Sequence, residues 1–463
     1  MSLDTAWQAP LGAYVQTFSE LIGDQRTERT FAAVVYGILA SGSTICQRIA
    51  DYSPCLTTGR RGAQRVIRMV TGASTMRSQL DAPHLTAQLR ARAVEHLGTT
   101  QSDELWLILD GSELRKPYAR EMEHLQRVRA LDGSLVNGYR TLTVLGVTPK
   151  QRGVLYQRLF SSNAPDFVSE PLETQQALTT VSTALAPLKP TKAITWIMDS
   201  GFDDVAVWRT GWEQEEHMVV RVAHSGREVR YLDSHNQWHD GSIAQAQLQV
   251  RKLAEAYTEL EICLQGQRQA KRQRVQVVLS ACPLQLKYRT NVRRPGPGKA
   301  VTKQVWLVEV RIVGSNWEPW LLLTDWPVED GPTAVRIFQM YRQRWAVEDS
   351  FKFTKECVDW EAVQVLDLEG VRTLVALAWV VAGFLYELGV TWEWEEVQLL
   401  AQLGGFEPHK DRKPGKIVLT RGLQRLMERL VTEALLQAYY AKHGKFPPKI
   451  AQFLGSWHPP DEL

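Results

Sequence analysis

Two short apolar runs constrain this chain more than any other feature, because each ends on an aspartate: Glu104-Leu-Trp-Leu-Ile-Leu-Asp110 and Ala193-Ile-Thr-Trp-Ile-Met-Asp199. Apolar runs of this length predict strands buried on both faces. Each strand would deliver one carboxylate to its C-terminal edge. Two further runs, at 141–147 and 154–159, are joined through Pro149 to Gly153 and predict a hairpin. Strands mixed with helical segments over 463 residues predict an α/β chain of several domains.

Helical periodicity dominates before residue 98. Phe31, Val34, Val35, Ile38 and Leu39 fall on one helical face, Ser41-Gly42-Ser43 breaks the pattern, and Ser43 is placed to cap a helix carrying Ile45 and Ile49. Ala63, Val66, Ile67 and Val70 mark a third helix. Between Gly59 and Arg92 the basic residues Arg60, Arg61, Arg65, Arg68, Arg77, Arg90 and Arg92 face one acid, Asp81. That imbalance suits a phosphate-binding face, the plainer alternative being a solvated helix surface. Net charge says little, at 54 − 51 = +3.

Residues 213–321 alternate in the manner of a β-rich module, and from Gln265 to Gln304 no Asp or Glu occurs. The strip carries Arg268, Lys271, Arg272, Arg274, Lys287, Arg289, Arg293, Arg294, Lys299 and Lys303, which suits a polyanion. Helical patterning returns after Thr333, with Leu423, Leu426, Leu430 and Leu435 in the last helical segment. The uncharged run between Arg372 and Glu387 has the length of a buried core helix, so no membrane role is expected. Five scattered cysteines and an N-terminus without a basic-then-apolar pattern predict a reducing cytoplasm.

The stretch Tyr341-Arg-Gln-Arg344-Trp-Ala-Val-Glu348-Asp-Ser-Phe-Lys-Phe-Thr-Lys355 sets four polar side chains close together. At about 100° per residue, Tyr341, Arg344, Glu348 and Lys355 lie within roughly 60° of one another around one helix. Such a row is also what a surface ion-pair ladder looks like. Combined with the two strand-end aspartates, however, Glu348 completes a set of three acids on separate elements. That set is what divalent-metal phosphoryl chemistry requires, since two magnesium ions about 3.5–4 Å apart can activate a nucleophile and stabilise a leaving oxygen. Arg344 and Lys355 would then hold phosphate oxygens.

Asp110 in Asp-Gly-Ser, Asp199 in Asp-Ser-Gly-Phe-Asp, and Glu348 within Tyr-x2-Arg-x3-Glu-x6-Lys resemble the acidic triad of DDE transposases of the insertion-sequence-four family, closest to its transposon-five type. Met218-Val-Val-Arg221, Trp320-Leu-Leu-Leu-Thr324 with Pro327-Val-Glu329, and Ala401-Gln-Leu-Gly-Gly-Phe406 extend the likeness from about residue 20 to about 430. The resemblance implies an RNase-H-like catalytic core (99–212 and 322–390) with a β-rich insertion (213–321). It also implies a helical N-terminal domain binding DNA ends (1–98) and a helical C-terminal dimerisation domain (391–463).

It further implies cut-and-paste chemistry: nicking by water, hairpin formation and opening, and strand transfer. Two Mg2+ ions, replaceable by Mn2+, would be held by Asp110, Asp199 and Glu348. Tyr341, Arg344, Lys355 and Arg221 would contact DNA, with Arg60, Arg61, Arg65, Arg293 and Arg294 as further contacts. Trp320 would stack on a flipped base, although a core tryptophan at a strand start is the plainer reading. The implied partners are double-stranded DNA, as terminal inverted repeats and target, and a second protomer in the DNA complex, in a bacterial cytoplasm and nucleoid-associated when on DNA.

Rival features are weaker. Asp132 sits in a second Leu-Asp-Gly-Ser but reads as a turn. Asp203 and Asp204 read as helix-start acids. Gly296-Pro-Gly-Lys299 lacks phosphate-loop spacing, so no nucleotide cofactor is expected. A nuclease that cuts without joining and a domesticated, non-catalytic DNA-binding protein remain the alternatives.

Overall fold

The computed structural model describes residues 9–53, 56–75, 77–262, 271–289, 300–407 and 414–455. Helices α1 (Ala9–Gln16), α2 (Gln25–Ser41), α3 (Cys46–Asp51), α4 (Gly59–Thr71) and α5 (Ala82–Gly98) come first. They are followed by β1 (Glu104–Arg115), β2 (Gln126–Arg129), β3 (Leu135–Val147), β4 (Arg152–Phe160), α6 (Glu170–Ala184), β5 (Ala193–Met198), α7 (Val205–Trp212) and β6 (His217–Arg221). Next are β7 (Glu228–Leu232), β8 (Trp238–Ser242), α8 (Ile243–Gln247), β9 (Arg251–Ile262), β10 (Lys271–Arg289), β11 (Ala300–Ile312) and β12 (Trp320–Thr324). Helices α9 (Gly331–Arg342), α10 (Trp345–Val358), α11 (Leu368–Thr391), α12 (Trp394–Leu403), α13 (Lys416–His443) and α14 (Pro448–Leu454) follow.

The strands form one mixed sheet in the order β2-β3-β1-β5-β6-β12-β11-β10-β7-β8, with β4 on β3 and β9 on β10. At its centre β1, β5 and β6 are parallel, whereas β3 runs antiparallel to β1. Helices cover both faces, which is why β5 reads as an almost continuous apolar run. The period of two sorts β1 between two cores: Leu105, Leu107 and Leu109 pack with Leu97 and Val181, while Ile108 packs with the helices at the other face. On β5, Trp196 and Met198 join the first core and Ile197 the second.

Several sequence expectations need correction. The strand 104–110 does not stop at Asp110: β1 runs to Arg115, and Asp110 pairs with Thr143 of β3. Asp-Gly-Ser looks like a turn in sequence, but Leu114 is buried, so the strand continues with alternating rather than two-sided burial. The sheet also passes straight through the expected boundary at 213, because β6 pairs in parallel with β5 and antiparallel to β12. Residues 126–129 form β2, and Asp132 occupies the turn that follows, where it accepts from Ser134.

Ser43 does not cap α3; Ile45 holds the N-cap position. Ile67 of α4 is exposed, the buried positions there being Gly62, Val66 and Val70. The apolar run between Arg372 and Glu387 lies in α11, a helix long and apolar enough to cross a membrane but mostly buried inside the protein.

Lys116 ties the end of β1 to the segment after α10. Its ammonium donates to the carbonyls of Glu361 and Val363, and burial pushes it down to about 8 despite the nearby Glu361 and Asp359. Beside this tie, Asp359 turns the chain in a left-handed conformation at φ 46°, and its carbonyl accepts from Thr44 on the N-terminal side. Replacing Lys116 with Met leaves two carbonyls without their donor, so thermal unfolding of Lys116→Met is expected to show a loss of about 1–3 kcal/mol. An unchanged melting temperature would mean that the tie contributes nothing.

Candidate active site

The local geometry brings the three acids together. Register between β1 and β5 runs to Leu109 opposite Met198, so the next residues, Asp110 and Asp199, stand side by side. Both follow the alternation of Ile108 and Ile197 onto the sheet face covered by α9 and α10. Asp199 caps a short 3-10 turn and accepts from Ser200 N at 2.7 Å, while Asp110 accepts from Gly111 N at 2.8 Å. Glu348 lies in the first turn of α10.

Between them sits the Arg344 guanidinium. Its Nη1 is 2.6 Å from Glu348 Oε1, 3.5 Å from Asp110 Oδ2 and 3.9 Å from Asp199 Oδ2. One nitrogen therefore reaches three carboxylates from three elements. Side-chain exposure rises from 18% at Asp110 through 33% at Asp199 to 49% at Glu348, so the cluster opens to solvent on the Glu348 side.

Tyr341 and Arg344 are not on one uninterrupted helix with Glu348, as the spacing had suggested. Helix α9 ends at Arg342 and α10 begins at Trp345. The amides of Gln343, Arg344, Ala346 and Val347 each bond three residues back, a tightened 3-10 stretch, while Arg344 keeps helical angles of φ −51° and ψ −38°. The interruption turns Tyr341 toward the acids, and its hydroxyl donates to Asp199 Oδ1 at 3.4 Å.

Protonation follows the crowding. Burial, with the neighbouring Asp199 and Glu348, pushes Asp110 up to about 7 even though Arg344 and the Gly111 amide pull the other way. Burial and Asp199 also raise Tyr341. Arg344 is held above its ordinary value by Glu348, Asp199 and Tyr341 against the opposing effect of burial. Other shielded acids, just outside the strands, accept from nearby donors. Glu216 accepts from Ser182 and Trp196, Asp325 from the Met218 amide, and Asp203 from Ala223, His224 and Arg227. Asp203 is thus an internal anchor rather than a helix-start acid, whereas Asp204 does cap α7.

Three hard carboxylates suit a magnesium-type cation chemically. In this arrangement, though, Arg344 occupies the middle, and among the described residues no three His, Cys, Asp or Glu side chains are grouped closely enough to hold an ion. The donor set fits; the space is taken by the guanidinium.

The remaining expected contacts are dispersed. Lys355 pairs with Glu361 at 3.2 Å and lies over the Trp360 ring. Arg221 ends β6, close enough to affect the Tyr341 hydroxyl. Trp320 is 5% exposed and packs against Phe338, Tyr341 and Trp345, so it is a core residue supporting Tyr341 rather than an open stacking platform. Arg293 and Arg294 lie outside the described residues, as do Arg268 and Lys299.

The strip at 265–304 is also less uniformly basic than its sequence. Arg272 and Arg274 of β10 stand opposite Glu261 and Glu259 of β9, Arg272 pairs with Glu259, and Lys303 approaches Asp325. In the N-terminal helices Arg60 and Arg61 are exposed, but Arg90 donates to the Leu155 carbonyl and Arg92 pairs with Glu387. A cavity of about 450 Å³ collects Arg26, Arg65, Arg68 and Arg77, and Arg65 donates there to Thr30. Arg26 escaped the sequence reading because it lies on α2, well before the arginine cluster.

No family model matches the chain, and no curated protein matches it. Among solved structures it is similar to piggyBac transposase in a synaptic complex with hairpin DNA. The likeness has a TM-score of 0.37 and 11% identity, covering 97% of this chain and 85% of that one. A likeness of that degree assigns neither family nor activity.

Asp110 provides a check on the electrostatics. Its folded value of about 7 exceeds the unfolded value of about 3.9, so the folded state binds the proton more tightly and loses stability as pH rises between the two. Asp110→Asn is therefore expected to melt roughly 2–5 °C above wild type at pH 8 and close to it at pH 4. A lower melting temperature for the variant at pH 8 would contradict this.

Proposed function

We propose that the protein is a DNA phosphoryl transferase, and specifically a cut-and-paste transposase of the DDE class. The observation that carries the reading is the meeting of Asp110, Asp199 and Glu348 at one nitrogen of Arg344. The strand order β4-β3-β1-β5-β6, antiparallel on one side and parallel on the other, supports an RNase-H-like core. The assignment to the insertion-sequence-four family and its transposon-five type rests on the sequence signatures.

Asp110, Asp199 and Glu348 would hold Mg2+ or Mn2+. When bound, such ions supply a hard Lewis acid that activates water or a 3′-hydroxyl and stabilises the leaving oxygen at phosphorus. The chain's own contribution is to keep three like charges together before DNA arrives. Arg344 does so by spreading one guanidinium over all three. On DNA, a backbone phosphate competes for Arg344 and draws it off the carboxylates. Tyr341 orients Asp199, and Trp320, itself packed on Trp345, backs Tyr341. The same reading implies terminal inverted repeats and target DNA as partners, a second protomer in the complex, and a bacterial cytoplasm as the setting.

Linear DNA carrying the sequences that flank the gene, incubated with the full chain and Mg2+, tests the reading. Cleavage and new joints are expected; cleavage without joints would instead make the protein a nuclease of the same core. Glu348→Gln is expected to reduce cleavage by about 10²–10³-fold or more, the cost of removing one central charge-stabilising group, while end binding is largely kept. Normal cutting by Glu348→Gln would refute the assignment.

The role of Arg344 has its own test. Arg344→Gln removes the competing cation, so calorimetric titration with Mn2+ in the absence of DNA is expected to show several-fold tighter binding than wild type. Weaker binding in that variant would mean that Arg344 does not stand in for a metal.

A further inference from the structure

A second concentration of uncompensated charge lies outside the acidic cluster. Between β4, α10, α11 and the start of α13 is a cavity of about 290 Å³. Among the described residues its charged lining is Lys150, Arg152 and Lys416, with no Asp or Glu, and its walls include Phe353, Tyr386 and Trp392. Nζ of Lys416 and Nη1 of Arg152 are both shielded from solvent, and among the described residues neither has a hydrogen-bond partner. The Lys416 ammonium lies 5.4 Å from the Phe353 ring centre and 5.0 Å from that of Tyr386. Cation–π contacts of this kind recover only part of a lost hydration shell.

Two like charges shielded together without an anion are unfavourable. Burial and the Arg152 charge push Lys416 down to about 8, and the carboxylate that opposes them, Asp349, is exposed on α10. Lys416 is also the first residue of the 28-residue helix α13, whose N-cap is Gly415 and has no side chain to satisfy the free amides. The lining therefore combines an ammonium and a guanidinium, with the first residue of a helix that has no side-chain cap at its edge. Lys–Arg pairs and helix N-termini are both suited to phosphate oxygens. The apolar walls strengthen such contacts by keeping water out.

We propose that this cavity binds a phosphate oxyanion, supplied either as free phosphate or as a phosphate of the DNA backbone. The site would neutralise Lys416 and Arg152 together and fasten α13 to the β3–β4 hairpin through the bound anion. It does not depend on the catalytic reading, since none of the acidic-cluster residues lines the cavity.

Thermal unfolding of the full chain in sodium phosphate against sodium chloride at matched ionic strength and pH 7 tests the proposal. Wild type is expected to show a saturable rise in melting temperature specific to phosphate. Lys416→Met and Arg152→Gln are each expected to weaken that response at least tenfold, and Arg152→Gln serves alone should Lys416→Met fail to fold. A second arm separates the two sources by measuring duplex-DNA affinity against NaCl concentration. A slope reduced by about one in the variants would mean that the site takes a backbone phosphate. An unchanged slope with the phosphate response lost would mean that it takes the free anion. Equal melting of wild type in phosphate and chloride, or a full phosphate response in both variants, would overturn the proposal.

Discussion

Three carboxylates held within reach of one guanidinium impose the central constraint on this structure. Asp110, Asp199 and Glu348 repel one another, and Arg344, within 3.9 Å of each, offsets that repulsion. Burial first, and then the neighbouring Asp199 and Glu348, raise Asp110, and exposure increases toward Glu348. An arrangement that works against folding stability persists where charge is needed for something other than folding. Glu216, Asp203 and Asp325 make the contrast, since each lies against donors rather than against other acids.

The rest of the fold serves to hold these four side chains in place. Parallel pairing of β1 with β5 sets the two aspartates beside each other, and the strand alternation turns both to the α9–α10 face. The 3-10 interruption between α9 and α10 lets Tyr341 and Glu348 approach the same point from successive helices. Lys116 and Asp359 anchor the far end of α10 to β1 and to the N-terminal helices. On the proposed reading, Arg344 is both the brace of the acidic cluster and the group that DNA must draw away.

Much of the site was legible in the sequence because its carriers are local patterns. Buried strands ending on Asp110 and Asp199, and a helical run bearing Glu348, are signals of period and length, and all three acids converge in the structure. What escaped were non-local facts. Asp-Gly-Ser imitates a turn, although pairing with β3 carries β1 five residues further. The basic strip of β10 looked unopposed because its acids, Glu259 and Glu261, belong to the neighbouring strand. Trp320 carried no sign of which rings would cover it, and Lys416 and Arg152, 264 positions apart in the numbering, could not have been joined from sequence spacing.

Anomalous diffraction from crystals of the protein bound to a cleaved DNA end in Mn2+ tests the central claim most directly. The account predicts a peak coordinated by Asp110, Asp199 and Glu348, with the Arg344 side chain moved off the carboxylates and onto a phosphate. No peak among these acids, with Arg344 still bridging all three at saturating Mn2+, would contradict it.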